Sequence, residues 1–156
     1  MPSEAIHGWN HSIADFSYST EEFYKLLESK IKERGLPDVK TRTRNISQGG
    51  MFSKNRLYFE ASRKDYIFHV CAAPFGKDYF FSWYLRVKLS PIQEMLSKIP
   101  IIGAYFTAKL TTQTYYQRDT ENMFKQSIHN AISDTIDDIL EPKGKKRLSD
   151  LDRQLR

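Results

Sequence analysis

The chain has 156 residues, of which 40% are hydrophobic and 28% charged, enough for one domain with a core of its own and no need of disulfides or structural metal. Its single cysteine, Cys71, excludes an intramolecular disulfide and fits a reducing compartment. No uninterrupted apolar run approaches the roughly 20 residues that a spanning helix needs, and the net charge of +5 directs attention to anionic partners.

The distribution of charge says more than the sum. Residues 1–35 carry net −2, residues 36–90 net +6, residues 91–118 net +2, residues 119–142 net −5 and residues 143–156 net +4. Such blocks either meet one another in the folded domain or face an anionic partner. Met1 to Asn10 has no basic cluster followed by an apolar run, so a loosely held arm is expected over 1–18 and a cytoplasmic location with it.

Ser19-Thr20-Glu21-Glu22 has the Ser-x-x-Glu form of a capping box, and Phe23, Leu26, Leu27 and Ile31 follow at helical spacing. Gly35 before Leu36-Pro37 supplies the stop, so a helix over 20–34 is predicted. From Val39 to Gln48 the pattern alternates, with Lys40, Arg42 and Arg44 on one side and Val39, Thr41 and Thr43 on the other, which predicts a strand with a cationic face. Arg56 to Ser62 and Tyr66 to Ala73 flank a polar turn and read as a hairpin, with Leu57, Phe59 and Ala61 on one face. After the turn Pro74-Phe75-Gly76-Lys77-Asp78, the run Tyr79 to Leu89 places Tyr79, Phe81, Trp83, Leu85, Val87 and Leu89 on one side of a further strand. Thr111 to Gln117 has the composition of a fifth strand, or else leads directly into the next helix. Asp119 or Thr120 then caps a helix over 120–140, whose stripe of Phe124, Ile128, Ala131, Ile132, Thr135, Ile136, Ile139 and Leu140 ends before Pro142 and Gly144.

The order predicts a single α+β domain over 19–142: an N-terminal helix, an antiparallel sheet of four to five strands, an apolar excursion between the last strands and a long C-terminal helix packed on the sheet, with a basic tail over 143–156. In topology this is similar to small secretion-chaperone-like α+β domains, which commonly have an acidic surface. The junctions Gln48-Gly49-Gly50, Cys71-Ala72-Ala73-Pro74-Phe75-Gly76 and Tyr115-Tyr116-Gln117-Arg118-Asp119-Thr120 resemble the pattern of a family of uncharacterised bacterial proteins over most of 45–150. The resemblance implies a bacterial origin and brings no activity with it.

The segment 91–109 is the most unusual part of the chain. Ser90-Pro91-Ile92-Gln93 forms a second capping box with proline at the first helical position, and Ile92, Met95, Leu96 and Ile99 line one face. Ile99 to Phe106 then carries no charge, while Lys98 and Lys109 flank it. Three destinations stand open for it: the domain's own sheet, a protein partner including a second copy, and the headgroup layer of a membrane.

Candidate chemistry is sparse. His69 and Cys71 share one face of a strand, as a thiolate-imidazole pair would require, but their apolar neighbours favour a packed structural cysteine. His7 and His11 are four apart on the arm, and His129 with Asp134, Asp137 and Asp138 lies on the polar side of the last helix, where a solvated face is the simpler reading. Gly49-Gly50 lacks the lysine of a phosphate loop, and no nucleophile elbow occurs. No catalytic, metal or cofactor residue is therefore assigned.

The expected function is a non-enzymatic binding or adaptor domain that engages an anionic membrane surface at the inner membrane face, or a protein partner. Lys98, Ile101, Ile102, Tyr105, Phe106 and Lys109 are its expected contacts, and Lys40, Arg42, Arg44, Lys145, Lys146 and Arg147 its cationic surface. The alternative is nucleic-acid binding by strand 39–48, the basic tail and the sheet aromatics Tyr58, Tyr66, Phe80 and Tyr84.

Overall fold

The computed structural model describes residues 5–47, 55–88, 91, 92, 95, 98–100 and 114–155. Five strands, β1 (Ala5–Ile13), β2 (Lys40–Ser47), β3 (Asn55–Arg63), β4 (Tyr66–Phe75) and β5 (Asp78–Val87), form one antiparallel sheet in the order β1-β5-β4-β3-β2. Helix α1 (Thr20–Glu33) carries the chain from the β1 edge to the β2 edge, and α2 (Tyr115–Leu140) follows the sheet. A short 3-10 turn (Glu141–Lys143) and the single-turn helix α3 (Asp150–Arg153) complete the chain. The α+β arrangement with helices on one sheet face is the one the order of elements predicts.

Local chemistry sets the boundaries. The Ser19 hydroxyl accepts from the Glu22 backbone N–H, and Gly35 ends α1 in the left-handed region at φ 59°. Two-residue connections close the β3–β4 and β4–β5 hairpins, and the second needs Gly76 because its φ is 64°. Helix α2 starts earlier than its apolar stripe indicates. Thr114 is its cap, in a reciprocal box with Gln117, so 115–117 are helical rather than part of a fifth strand.

The fifth strand lies at the other end of the chain. Residues 5–13, expected as a loose arm, pair with β5 from Ala5 opposite Arg86 to Ile13 opposite Tyr79. Trp9 is the reason: directly opposite Trp83, it is buried against His129 of α2 and its indole N–H donates to the Asp152 carbonyl at 2.8 Å. Residues 143–155, within the segment expected as a basic tail, turn back as a strap beside β1. Leu148 is buried, and its N–H donates to the Asp137 carboxylate at 2.7 Å.

The core lies between the helices and one sheet face. Phe23 packs on Phe81, Tyr24 on Phe59, Phe124 on Phe68 and His129 on Trp83, with ring centroids 5.1 to 5.8 Å apart. Tyr24 fixes this layer by a polar tip, since its hydroxyl donates toward the Leu57 and Val70 carbonyls and accepts from the Ala72 N–H. Burial drives its phenol pKa far up.

Candidate functional site

The sheet face away from α1 and α2 carries Lys40, Arg42 and Arg44 from β2, Arg56, Tyr58 and Glu60 from β3, His69 and Cys71 from β4, and Phe80, Ser82, Tyr84 and Arg86 from β5. Strand alternation and register put them there, because the partners of these residues are the ones that alternate with the buried Phe59, Val70 and Trp83. Glu60 is the carboxylate that organises it. Only 3% exposed, it holds the Arg42 guanidinium in a short ion pair, with Arg44 and His69 each at 3.7 Å. Between the strand ends it is the one carboxylate of that face among the described residues, so the face keeps a cationic excess.

The acidic block of α2 goes elsewhere. Asp134 meets Arg34 at 2.7 Å and Arg153 at 3.2 Å, Asp138 meets Lys30 at 2.6 Å, and buried Asp137 pairs with Arg153. Arg147 lies 2.9 Å from Glu141, the Lys145 ammonium donates to the Ala14 carbonyl at 3.1 Å, and Lys146 is exposed. The basic strap and the end of α1 thus face the acidic helix, while the sheet cations lie across the core from it.

The titratable groups singled out in the sequence take structural positions. Burial pushes the Cys71 thiol up, away from the thiolate that nucleophilic chemistry needs, with Arg56 opposing. Burial also holds His69 below the ordinary imidazole value. His7 reaches Glu121 at 3.1 Å and His11 lies 3.8 Å from Asp152, both on β1. His129 and Asp137, expected on a solvated helix face, are each 1% exposed because the strap covers them. The neutral His129 ring accepts from the Trp83 indole N–H at Nδ1 and, through Nε2, donates to the Arg153 carbonyl at 2.7 Å. Tyr66 is pushed up to about 12 by burial and then by the nearby Glu121 carboxylate. Among the described residues no group of three His, Cys, Asp or Glu is placed to hold a metal.

One end of the molecule differs from the rest. β5 ends there at Val87, next to the start of β4 at Tyr66 and the start of β1, and Glu121 of α2 reaches His7 and Tyr66 at the same level. The first turns of α2 therefore project past the sheet, and Tyr115 and Tyr116 are 88% and 78% exposed. Between β5 and α2, the described residues Pro91, Ile92, Met95, Lys98, Ile99 and Pro100 are all exposed, with Ile92 at 67% and Met95 at 63%. Of the expected contacts, Lys98 is thus placed on the surface, while Ile101, Ile102, Tyr105, Phe106 and Lys109 lie outside the described residues. Lys40, Arg86 and Lys88 stand at the same sheet end.

Sequence reasoning missed the hub role of Glu60 and the exposure of the tyrosine pair. The first had a signal, since Glu60 is the lone acid in a strand whose neighbours on that face are cationic or polar. The second had none, because Tyr115 and Tyr116 read equally well as a strand. No family model, no curated protein and no solved structure matches the chain.

Proposed function

We propose that this domain is a non-enzymatic binding module that attaches to an anionic membrane surface by the end of the sheet from which the 91–109 segment leaves. The observation that carries the reading is the exposure of Ile92, Met95 and Ile99 beside Lys98, on a segment bounded by the cationic sheet end and by exposed Tyr115 and Tyr116. Apolar side chains, lysines and tyrosines are the three elements of an interfacial contact, with tyrosines at headgroup depth.

The magnitudes suit reversible attachment. Full burial of an Ile or Met side chain contributes roughly 1.5–3 kcal/mol, and each basic group near an anionic leaflet about 1 kcal/mol. Neither part suffices alone, since stable peripheral binding takes two signals. Among the described residues no helix is long and apolar enough to cross a membrane, so the contact proposed is shallow.

Vesicle flotation tests this directly. The protein is expected to float with phosphatidylcholine vesicles that contain phosphatidylserine, to float less with phosphatidylcholine alone, and to stay at the bottom as Met95→Asp/Ile99→Asp or Ile102→Asp. Absence of flotation on the anionic vesicles overturns the reading.

Single-stranded nucleic acid is the second reading, favoured by the pairing of Arg44 with Tyr58 and of His69 with Tyr84 across the sheet face opposite α1 and α2. Salt-sensitive retention on an oligonucleotide column, lost in Tyr58→Ala/Tyr84→Ala, is its test.

A further inference from the structure

We infer that the free edge of β2 is a docking site for an extended segment of another protein in which acidic side chains alternate with apolar ones, added to the sheet as a sixth strand. The inference rests on β2, β3 and α1 and is independent of the membrane reading.

β2 pairs with β3 on one side, and on the other no strand adjoins it among the described residues. A strand edge presents a row of backbone donors and acceptors that a further strand can satisfy. All eight residues of β2 are exposed or half-buried, so the strand extends beyond the shelter of the helices. Beneath it, between α1 and the sheet, runs a groove of about 490 Å³. Leu57 stands on its floor above the buried rings of Phe59 and Tyr24, Thr43 and Arg42 line it from β2, and Glu21, Lys25 and Glu28 form its α1 wall. The floor is rigid because the Tyr24 hydroxyl is bound to three backbone groups of β3 and β4.

An added strand has side chains of period two, so one set faces the groove and the other lies on the side opposite α1. The second set stands beside Lys40, Arg42 and Arg44, at the separation at which cross-strand charges interact. Arg42 and Arg44 share Glu60 and therefore stay fixed in place while one carboxylate leaves their combined charge in excess. Acidic side chains fit that row, and apolar ones fit the groove.

The same charges decide against a second copy of this chain. Antiparallel pairing of β2 with itself sets a row of Lys40, Arg42 and Arg44 against the same row, and like charges directly opposite are destabilising. Cations on an edge strand also protect it from indiscriminate pairing, which accounts for the row but not for a groove with Leu57 on its floor beneath it.

The probe is a fluorescein-labelled nonapeptide alternating glutamate with valine or isoleucine, titrated with the full chain and read by anisotropy. Saturable micromolar binding is expected, with chemical-shift changes confined to β2, Leu57 and the facing side of α1. A peptide of the same composition with the glutamates in one block, the lysine counterpart, and a version N-methylated at alternate residues should each bind at least tenfold more weakly. Arg42→Glu/Arg44→Glu should lose at least tenfold as well. Because that variant disturbs Glu60, Lys40→Glu serves as a milder one, with a smaller loss expected. No saturable binding, equal binding of the blocked or N-methylated peptide, or shift changes away from β2 would overturn the inference.

Discussion

β1 and β2 close the same sheet at its two edges, yet they meet opposite surroundings. β1 lies beside a strap that supplies Asp152, Arg153 and Leu148, and its Trp9 is buried against α2. β2 has polar side chains on both faces and a groove of about 490 Å³, whereas the cleft of about 260 Å³ at the other edge is walled by the strap. The difference teaches where free energy of folding is concentrated in this molecule and where surface is left over for binding.

The largest test of that contrast is truncation. Trp9→Ala removes a buried indole and its hydrogen bond to Asp152, and should destabilise the domain by about 3–5 kcal/mol in urea unfolding. Thr43→Ala on the exposed edge should stay within about 0.5 kcal/mol of the parent. Equal effects at the two edges would erase the distinction.

Next comes the carboxylate that holds the strap. Asp137 is buried, accepts the Leu148 N–H and pairs with Arg153 and Arg147. Its replacement by alanine leaves a buried donor unmet, and a loss of about 1–3 kcal/mol is expected, with faster hydrogen exchange in the strap.

Acid should loosen the same seam. His129 is held below the ordinary imidazole value, first by burial, then by the Arg153 charge, against a hydrogen bond from the ring to the Arg153 carbonyl. Between its folded value and about 6.5 the unfolded chain binds more protons, so this stabilisation is complete above about pH 6.5 and is lost as pH falls through the window beneath. The physical event is that a protonated Nδ1 would present its hydrogen to the Trp83 indole N–H. His69 is shifted in the same direction by burial and adds to the slope. Urea midpoints should drop between pH 7 and pH 5, and His129→Gln should flatten that drop.

The smallest effects belong to the exposed pairs between helices. Arg34→Ala, which removes a contact with Asp134, should change stability by less than about 1 kcal/mol, and added salt should shrink the difference. A larger value would mean that the helix pair is held by charge rather than by the aromatic layer beneath it.

Much of this architecture is legible along the chain. Capping at Ser19 and the stop at Gly35 bound α1, the alternation around Phe59, Phe68 and Phe81 marks the meander, and the stripe from Phe124 to Leu140 marks the long helix. The errors share one cause. Residues 5–13 and 143–155 lack strong local signals, and only a surface elsewhere in the fold gives them a structure. Trp9 needs Trp83 and His129, and the strap needs the acidic face of α2, none of them near in sequence.

The candidate sites divide in the same way. Composition and periodicity by themselves determined that β2 would carry a cationic row and that the segment after β5 would be apolar between lysines, because side-chain chemistry and the two-residue repeat are local properties. That α2 would turn its acids toward α1 and the strap, leaving the sheet cations with Glu60, was settled only by packing. So was the groove beneath β2. Coulomb energies and cavities depend on which surfaces meet in three dimensions, and no order of residues states that directly.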